Sequence, residues 1–237
     1  MTTSGKADLS APVASGDSDR TLNVRWLGRV PFATALTFQE ELVSQMRNDT
    51  TVGDQLLLLE HEPVYTIGRT PDQSSLRGAN HLPYPLFPIN RGGQATYHGP
   101  GQLVGYPIID LRCCGQDLHK YLRWIEALLI ETLSRYEIKA GTRPGLTGVW
   151  VEDRKIASIG VGVRHWITMH GFALNVGGDL TPFDQIVPCG ITDVTMTSIE
   201  REIKSSFKVE DVARDLTIVA RELVTYLFSV PVGESHS

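Results

Sequence analysis

The alternation of apolar and polar positions divides the chain into recognisable elements. Residues 22–27, Leu-Asn-Val-Arg-Trp-Leu, alternate with period two and predict a strand. Pro31 then opens a helix that places Phe32, Ala35, Leu36, Leu42 and Met46 on one side. Residues 56–59 are wholly apolar; Glu60-His61-Glu62 and Pro63 follow, and then a second apolar run, 64–67. Both runs read as buried strands meeting at a corner of functional character. Residues 70–85 are rich in Asp, Ser, Asn, Gly and Pro and read as a loop, of a length often used for lids or partner surfaces. Asp117 is placed to cap a helix whose Leu118, Leu122, Ile125, Leu129, Leu133 and Tyr136 recur every three or four positions. From Gly148 strands return at 149–151, 155–163 and 168–176, joined so tightly that they must be antiparallel neighbours. A short helical piece near Ser198 precedes an amphipathic helix built on Val209, Val212, Leu216, Val219, Leu223 and Leu227. The helices cluster apart from a mixed, largely antiparallel sheet, which makes the fold class α+β.

Between these elements lies a stretch that describes a site. Residues 91–111, RGGQATYHGPGQLVGYPIIDL, set the alternating Gln94-Ala95-Thr96-Tyr97-His98 between Gly92-Gly93 and Gly99-Pro100-Gly101. Such glycine density allows a backbone to turn sharply or to approach a ligand, so a strand ending beside a bound molecule is expected; a glycine-flanked hairpin with a core histidine is the plainer alternative. His98 and His170 both precede glycine, which suggests two strand ends converging on one cavity. The alternation Gly160-Val161-Gly162 leaves one strand face bare, suited to an alkyl channel or to close packing against a helix.

Composition narrows the function. The 237 residues are 41% apolar and 21% charged, enough for one substantial core, and the expected organisation is a flexible polar tail over 1–20 and one domain over 21–230. A formal charge of -5 and no basic run argue against nucleic-acid binding. Neither a signal peptide nor a run of about eighteen apolar residues is present, so a cytoplasmic, membrane-free protein is expected. Its three cysteines, Cys113, Cys114 and Cys189, lack metal-ligand spacing and should stay reduced there.

Cys189 stands between Pro188 and Gly190, flanks that expose a side chain on a stiff backbone. A thiol of ordinary acidity is only about three per cent ionised at pH 7, so a nucleophilic role requires a base or a cation. Lys155, which opens an otherwise apolar strand, is the candidate: an ammonium about 4 Å from sulfur contributes roughly 4 kcal/mol at an effective dielectric near 20. An inert buried cysteine and a solvated turn lysine are the plainer alternative. Cys113 and Cys114, without a basic companion, read as structural or incidental.

Four ordered segments, RGGQATYHGPGQLVGYPIIDL, GVWVEDRKIASIGVGVR, HGFALNV and IVPCGITD, closely resemble the lipoyl(octanoyl) transferase family. The resemblance runs from about Leu22 to Phe228. It implies an α+β fold with a central mixed sheet, similar to the catalytic domains of biotin and lipoate protein ligases. It also implies transfer of an octanoyl group from octanoyl-acyl carrier protein to a lysine amine of lipoyl domains, in 2-oxoacid dehydrogenase E2 subunits or the glycine cleavage H protein. By the same resemblance Cys189 is the acyl-thioester nucleophile and Lys155 the lysine that keeps it ionised. Arg91, Gly92, Gly93, Gln94, Ala95, Thr96, Tyr97 and His98 form the substrate loop, with Ser158, Ile159 and Gly160 and then Gly171, Phe172 and Ala173 as further lining. No cofactor, metal or ATP is implied. Lys155 is also the candidate base for the acceptor amine, and backbone N–H groups near Gly190 or Gly92 are candidate oxyanion donors. Competing readings are an ATP-dependent lipoate or biotin ligase, which needs no thiol, a cysteine hydrolase, and a non-catalytic acyl or carrier-protein binding module.

Overall fold

A computed structural model describes residues 21–69, 74–76, 82–188 and 194–228. The expected tail, parts of the 70–85 loop, and Cys189 with Gly190 lie outside the described residues.

Strand β1 (Asn23–Val30), helix α1 (Phe32–Asn48) and strand β2 (Gln55–His61) form a crossover unit in which β1 and β2 pair in parallel. Two strands of the second sheet, β3 (Val64–Ile67) and β4 (Leu86–Pro88), come next, and β5 (Thr96–His98) completes it in the order β4-β3-β5. The larger sheet continues with β6 (Gln102–Ile108), helix α2 (Leu118–Ser134), β7 (Gly141–Arg143), β8 (Leu146–Val151), β9 (Arg154–Arg164) and β10 (Ile167–Asn175). Short β11 (Thr195–Met196), α3 (Ile199–Ile203) and α4 (Val209–Phe228) close the described chain. The larger sheet runs β1-β2-β6-β10-β9-β8-β7, with β11 beside β9; only β1–β2 and β11–β9 are parallel among these pairs. The expected α+β class with a mixed, largely antiparallel sheet is therefore observed, with helices on both faces.

Period-two geometry explains the layering. Leu56 and Leu58 enter the core under α2 and α4, whereas Leu57 and Leu59 enter the core under α1. All four are essentially inaccessible to solvent, and burial of side chains this size contributes about 2 kcal/mol each. On α1 the stripe Phe32, Ala35, Leu42, Val43 and Met46 faces the sheet, joined unexpectedly by the fully buried Gln39. Asp117 caps α2 as expected, its carboxylate accepting the Lys120 N–H at 2.9 Å.

The two apolar runs expected as buried strands are β2 and β3, and of the two readings of the glycine-rich stretch the plainer one, a hairpin, is not what forms. The apolar runs on either side of Glu60-His61-Glu62 belong to different sheets, because Pro63 and the turn redirect the chain after β2. The glycine-flanked segment is likewise no β5–β6 hairpin: β5 pairs with β3, while β6 lies between β2 and β10 in the other sheet. Gly99, Pro100 and Gly101 thus carry the chain from one sheet to the other, and the space between the sheets becomes a cleft. Cys113 is exposed and Cys114 is buried, its thiol directed at the Asp110 carbonyl.

Candidate active site

The cleft, about 400 Å³ including its open mouth, is bounded on one side by β9 and β10 and on the other by β5 and the 89–91 segment. Its β9 and β10 wall consists of Ser158, Ile159, Gly160, His170, Gly171, Phe172 and Ala173. Arg91, Thr96 and His98 face it, and Phe32 from the first turn of α1 and Tyr106 from β6 complete it. Nine of the residues expected from the sequence therefore surround one space: Arg91, Thr96, His98, Ser158, Ile159, Gly160, Gly171, Phe172 and Ala173.

The remaining substrate-loop positions take other places. Gly92 donates its N–H to the Val161 carbonyl at 2.9 Å, which lays the loop directly on β9. A Cβ at Gly160 would stand 3.0 Å from Arg91 Cδ, and one at Gly162 2.5 Å from the Asn90 carbonyl oxygen. The bare glycine face thus seats this loop as well as opening onto the cleft. Gly93 turns with φ +83. Gln94 is half-buried, and Ala95 donates its N–H to Ser75 Oγ at 3.2 Å. Tyr97 points to the opposite face of β5, where its ring lies 5.4 Å from Tyr65 and 5.5 Å from Phe183.

Polar groups in the cleft are held by a connected set of bonds. Arg91 donates from Nη2 to Thr66 Oγ1 at 2.9 Å and to the Thr66 carbonyl at 3.1 Å, and from Nη1 to the Gly92 carbonyl at 2.9 Å. His98 Nδ1 lies 2.8 Å from Gln102 Oε1, an acceptor, so Nδ1 carries the proton and Nε2 faces Thr66 Oγ1 at 3.5 Å. His61 Nδ1 meets the Val30 carbonyl at 2.7 Å, so its Nε2 accepts from the Tyr106 hydroxyl, also at 2.7 Å. Burial lowers all three histidine pKa values, His61 to about 4, His98 to about 3 and His170 to about 4; neighbouring His61 lowers that of His98 further, and Arg91 that of His170. Burial likewise raises the Tyr106 pKa above the ordinary phenol range. At neutral pH the cleft therefore presents neutral imidazoles. His170 sits in the left-handed region with φ 58, and the buried Gln39 holds that turn by accepting the His170 N–H at 2.8 Å.

Gln102 extends this set toward Lys155. Its Nε2 donates to the Tyr97 carbonyl at 3.2 Å and to Asn175 Oδ1 at 3.0 Å; Asn175 Nδ2 donates to the Thr197 carbonyl at 2.9 Å; and Thr197 donates its N–H to the Lys155 carbonyl at 2.9 Å. Lys155 itself is fully buried. Its ammonium donates to the Thr147 carbonyl at 3.0 Å and lies 5.2 Å from the Trp150 ring centroid, two contacts that suit a cation out of water. Gly148, at φ +127, makes room: a Cβ there would stand 2.6 Å from Lys155 Cε.

The segment that carries Cys189 is anchored on both sides. Before it, Val187 donates its N–H to the Ser75 carbonyl at 2.7 Å and Ile186 packs among Phe183, Tyr65 and Tyr97. After it, Thr195 and Met196 pair in parallel with Arg154 and Lys155. Phe32, Gln39, Thr66, Gln102 and Tyr106 were not legible as site residues, since each looks like an ordinary core or strand position. His61 carried a signal, standing between two glutamates at the corner after β2.

A family model described as the lipoyl protein ligase A/B catalytic domain matches residues 31–219. The octanoyltransferase of Geotalea uraniireducens is 49% identical over 191 residues, covering 81% of this chain and 87% of that protein. That of Solibacter usitatus is 51% identical over 177 residues, covering 73% and 80%. In fold, a putative lipoate protein ligase from T. acidophilum superposes with a TM-score of 0.66 at 15% identity, covering 86% of this chain and 85% of the other. With the two-sheet cleft, the buried lysine and these matches together, the chain belongs to the lipoyl protein ligase A/B catalytic-domain family, among its octanoyltransferases, and is an acyltransferase.

Proposed function

We propose that this enzyme moves an octanoyl group from octanoyl-acyl carrier protein to a lysine amine of lipoyl domains through a thioester on Cys189, and that it does so in the cytoplasm. No described helix is long and apolar enough to cross a membrane. The observation that carries this reading is the fully buried Lys155, whose backbone pairs with Met196, seven residues beyond Cys189, on the strand that borders the cleft. A cation withdrawn from water on the strand that borders the cleft suits a neighbouring thiolate, and the neutral histidines and ring faces of the cleft suit an uncharged chain.

The chemistry balances over two steps. The Cys189 thiolate adds to the carrier thioester carbonyl, and the C–S bond to the carrier breaks as its sulfur takes a proton from the Lys155 ammonium. The acceptor lysine then adds to the new thioester as a neutral amine, gives its extra proton to Lys155, and expels the Cys189 thiolate. No ATP enters, because one thioester is exchanged for another of similar energy before the amide forms.

Intact mass spectrometry after mixing with octanoyl-acyl carrier protein tests this. The wild-type protein should gain one octanoyl group without ATP and lose it to a lipoyl domain, and Cys189→Ala should gain none. Transfer by Cys189→Ala that requires ATP would instead identify a ligase.

A further inference from the structure

Two of the four tryptophans are buried, and the fold treats their N–H groups differently. Trp124, fully inaccessible, donates from Nε1 to the Leu223 carbonyl at 3.1 Å, and its ring stacks on Tyr121 at 6.1 Å. Trp150 is 2% exposed, yet its Nε1 is shielded from solvent and has no hydrogen-bond partner among the described residues. A buried donor left unmet is costly, so packing alone favours phenylalanine at this position. What an indole offers in return is its face, which attracts a cation more strongly than the ring of phenylalanine or tyrosine.

Cations are what this ring meets. Trp150 and Lys155 are cross-strand partners of β8 and β9, at the bulge between Val149 and Trp150. The Lys155 ammonium lies 5.2 Å from the ring centroid, and the Arg143 guanidinium also lies 5.2 Å from it. The two contacts are not equivalent. Arg143 is exposed and keeps its water, so the ring adds little to it; Lys155 is fully buried, where attraction to a ring face is strongest. Gly148, on the same strand as the ring, leaves room for the lysine stem, so β8 supplies the ammonium with space, a carbonyl at Thr147 and the face of Trp150.

We infer that Trp150 is a positioning residue for acyl transfer, its indole face holding the Lys155 ammonium in place without cancelling the charge. This rests on the octanoyl-transfer reading and deepens it. A carboxylate in place of the indole would also hold the lysine, but as an ion pair that competes with a thiolate for the cation and with a sulfur leaving group for the proton. The indole does neither, since it has no net charge and its nitrogen only donates. In the two steps proposed above Lys155 gives up a proton and takes one back, and the ring draws the recharged ammonium to the same place. No bond to Trp150 forms or breaks.

Fluorinated tryptophans test the assignment, because fluorine drains the ring face and barely alters its shape. Mono-, di- and trifluorinated tryptophan are placed singly at Trp150 of the full chain by codon suppression, and single-turnover acylation by octanoyl-acyl carrier protein is followed by intact mass over a range of carrier concentrations. The limiting rate should fall with each fluorine, to about a tenth of wild type at three. The half-saturating concentration should stay within about threefold, and Tm within about 2 °C, because shape and burial are kept. The same series at Trp124, whose ring stacks on Tyr121, should leave the rate unchanged. Trp150→Phe, which retains a weaker face, should be faster than Trp150→Leu, which retains none. A rate that ignores fluorine at Trp150, rises with it, or falls equally with fluorine at Trp124 overturns the assignment, as do equal rates for Trp150→Phe and Trp150→Leu or a loss confined to half-saturation. Wild-type acylation leaves the broader reading standing in each of these cases. If the wild-type protein gains no octanoyl group, both fall. Should Trp150→Leu not fold, the fluorinated series decides by itself: a graded fall at Trp150 supports the assignment and a flat rate overturns it.

Discussion

Gly148→Ala isolates what holds Lys155 in place. At φ +127 an alanine adopts a conformation that L-residues avoid, a strain of about 1–3 kcal/mol. The added Cβ would also lie 2.6 Å from both Lys155 Cε and the Ala157 carbonyl oxygen. Ala157 is in the interior of β9 and cannot yield, whereas the end of a lysine can swing away; the outcome is loss of the 3.0 Å bond from the ammonium to the Thr147 carbonyl. A hydrogen bond from a charged donor contributes about 1.5–3 kcal/mol, so the combined cost is roughly 3–5 kcal/mol, or a fall in Tm of about 10 °C in a chain this long. Gly145→Ala is the control. That glycine also has positive φ, +74, but nothing lies within 4 Å of its missing Cβ, so only strain of about 1 kcal/mol is expected. Differential scanning calorimetry gives the two Tm values, and iodoacetamide alkylation of Cys189 against pH tests the proposed pairing of this lysine with the thiol. Gly148→Ala should shift the alkylation midpoint to higher pH, and Gly145→Ala should leave it unchanged. Equal melting temperatures for the two variants would refute the claim that Gly148 is kept clear for Lys155.

The buried histidines predict an acid-sensitive fold. In the unfolded chain each binds a proton below about pH 6.5, while in the folded protein His61 and His170 stay neutral to about pH 4 and His98 to about pH 3. The unfolded state therefore binds more protons in that window. Stability is full above pH 6.5 and declines as pH falls toward 4, by up to about 1.4 kcal/mol per pH unit for each histidine. Urea midpoints measured from pH 7 to pH 4.5 should fall accordingly, and His170→Asn, which tolerates the left-handed backbone, should flatten the dependence by about one histidine's share; an unchanged slope would count against burial as the cause. Gln102→Leu strands the His98 Nδ1 proton, the Tyr97 carbonyl and Asn175 Oδ1 together, and urea denaturation should show a loss of about 3 kcal/mol. A loss under about 1 kcal/mol would mean that the polar chain from His98 to Thr197 contributes little to the fold.

Much of the architecture was legible because local rules govern it. The stripes on α1, α2 and α4 follow the helical period, the Asp117 cap is a neighbour effect, and β8, β9 and β10 are joined by turns too short for any arrangement but antiparallel. The segments holding Arg91 to His98, Ser158 to Gly160 and Gly171 to Ala173 could be named from motif alone. That nine of those residues surround one cleft while Tyr97 turns away was not legible, since period two assigns a residue to a face only once the partner strand is known. The division into two sheets was hidden as well, because β5 and β6 are separated by a glycine-proline corner that reads equally well as a hairpin.

By itself, then, the order of residues determined the helices, most strands and the segments that line the cleft, all consequences of interactions within a few positions. Only the tertiary structure decided that Gln39 would reach His170 across 131 positions, that Gln102 would link His98 to Asn175, and that the hydroxyl of Thr96 would be left over. Such pairings depend on which elements pack together, and whether a buried polar group is satisfied is a property of its surroundings in space, which no sequence period encodes.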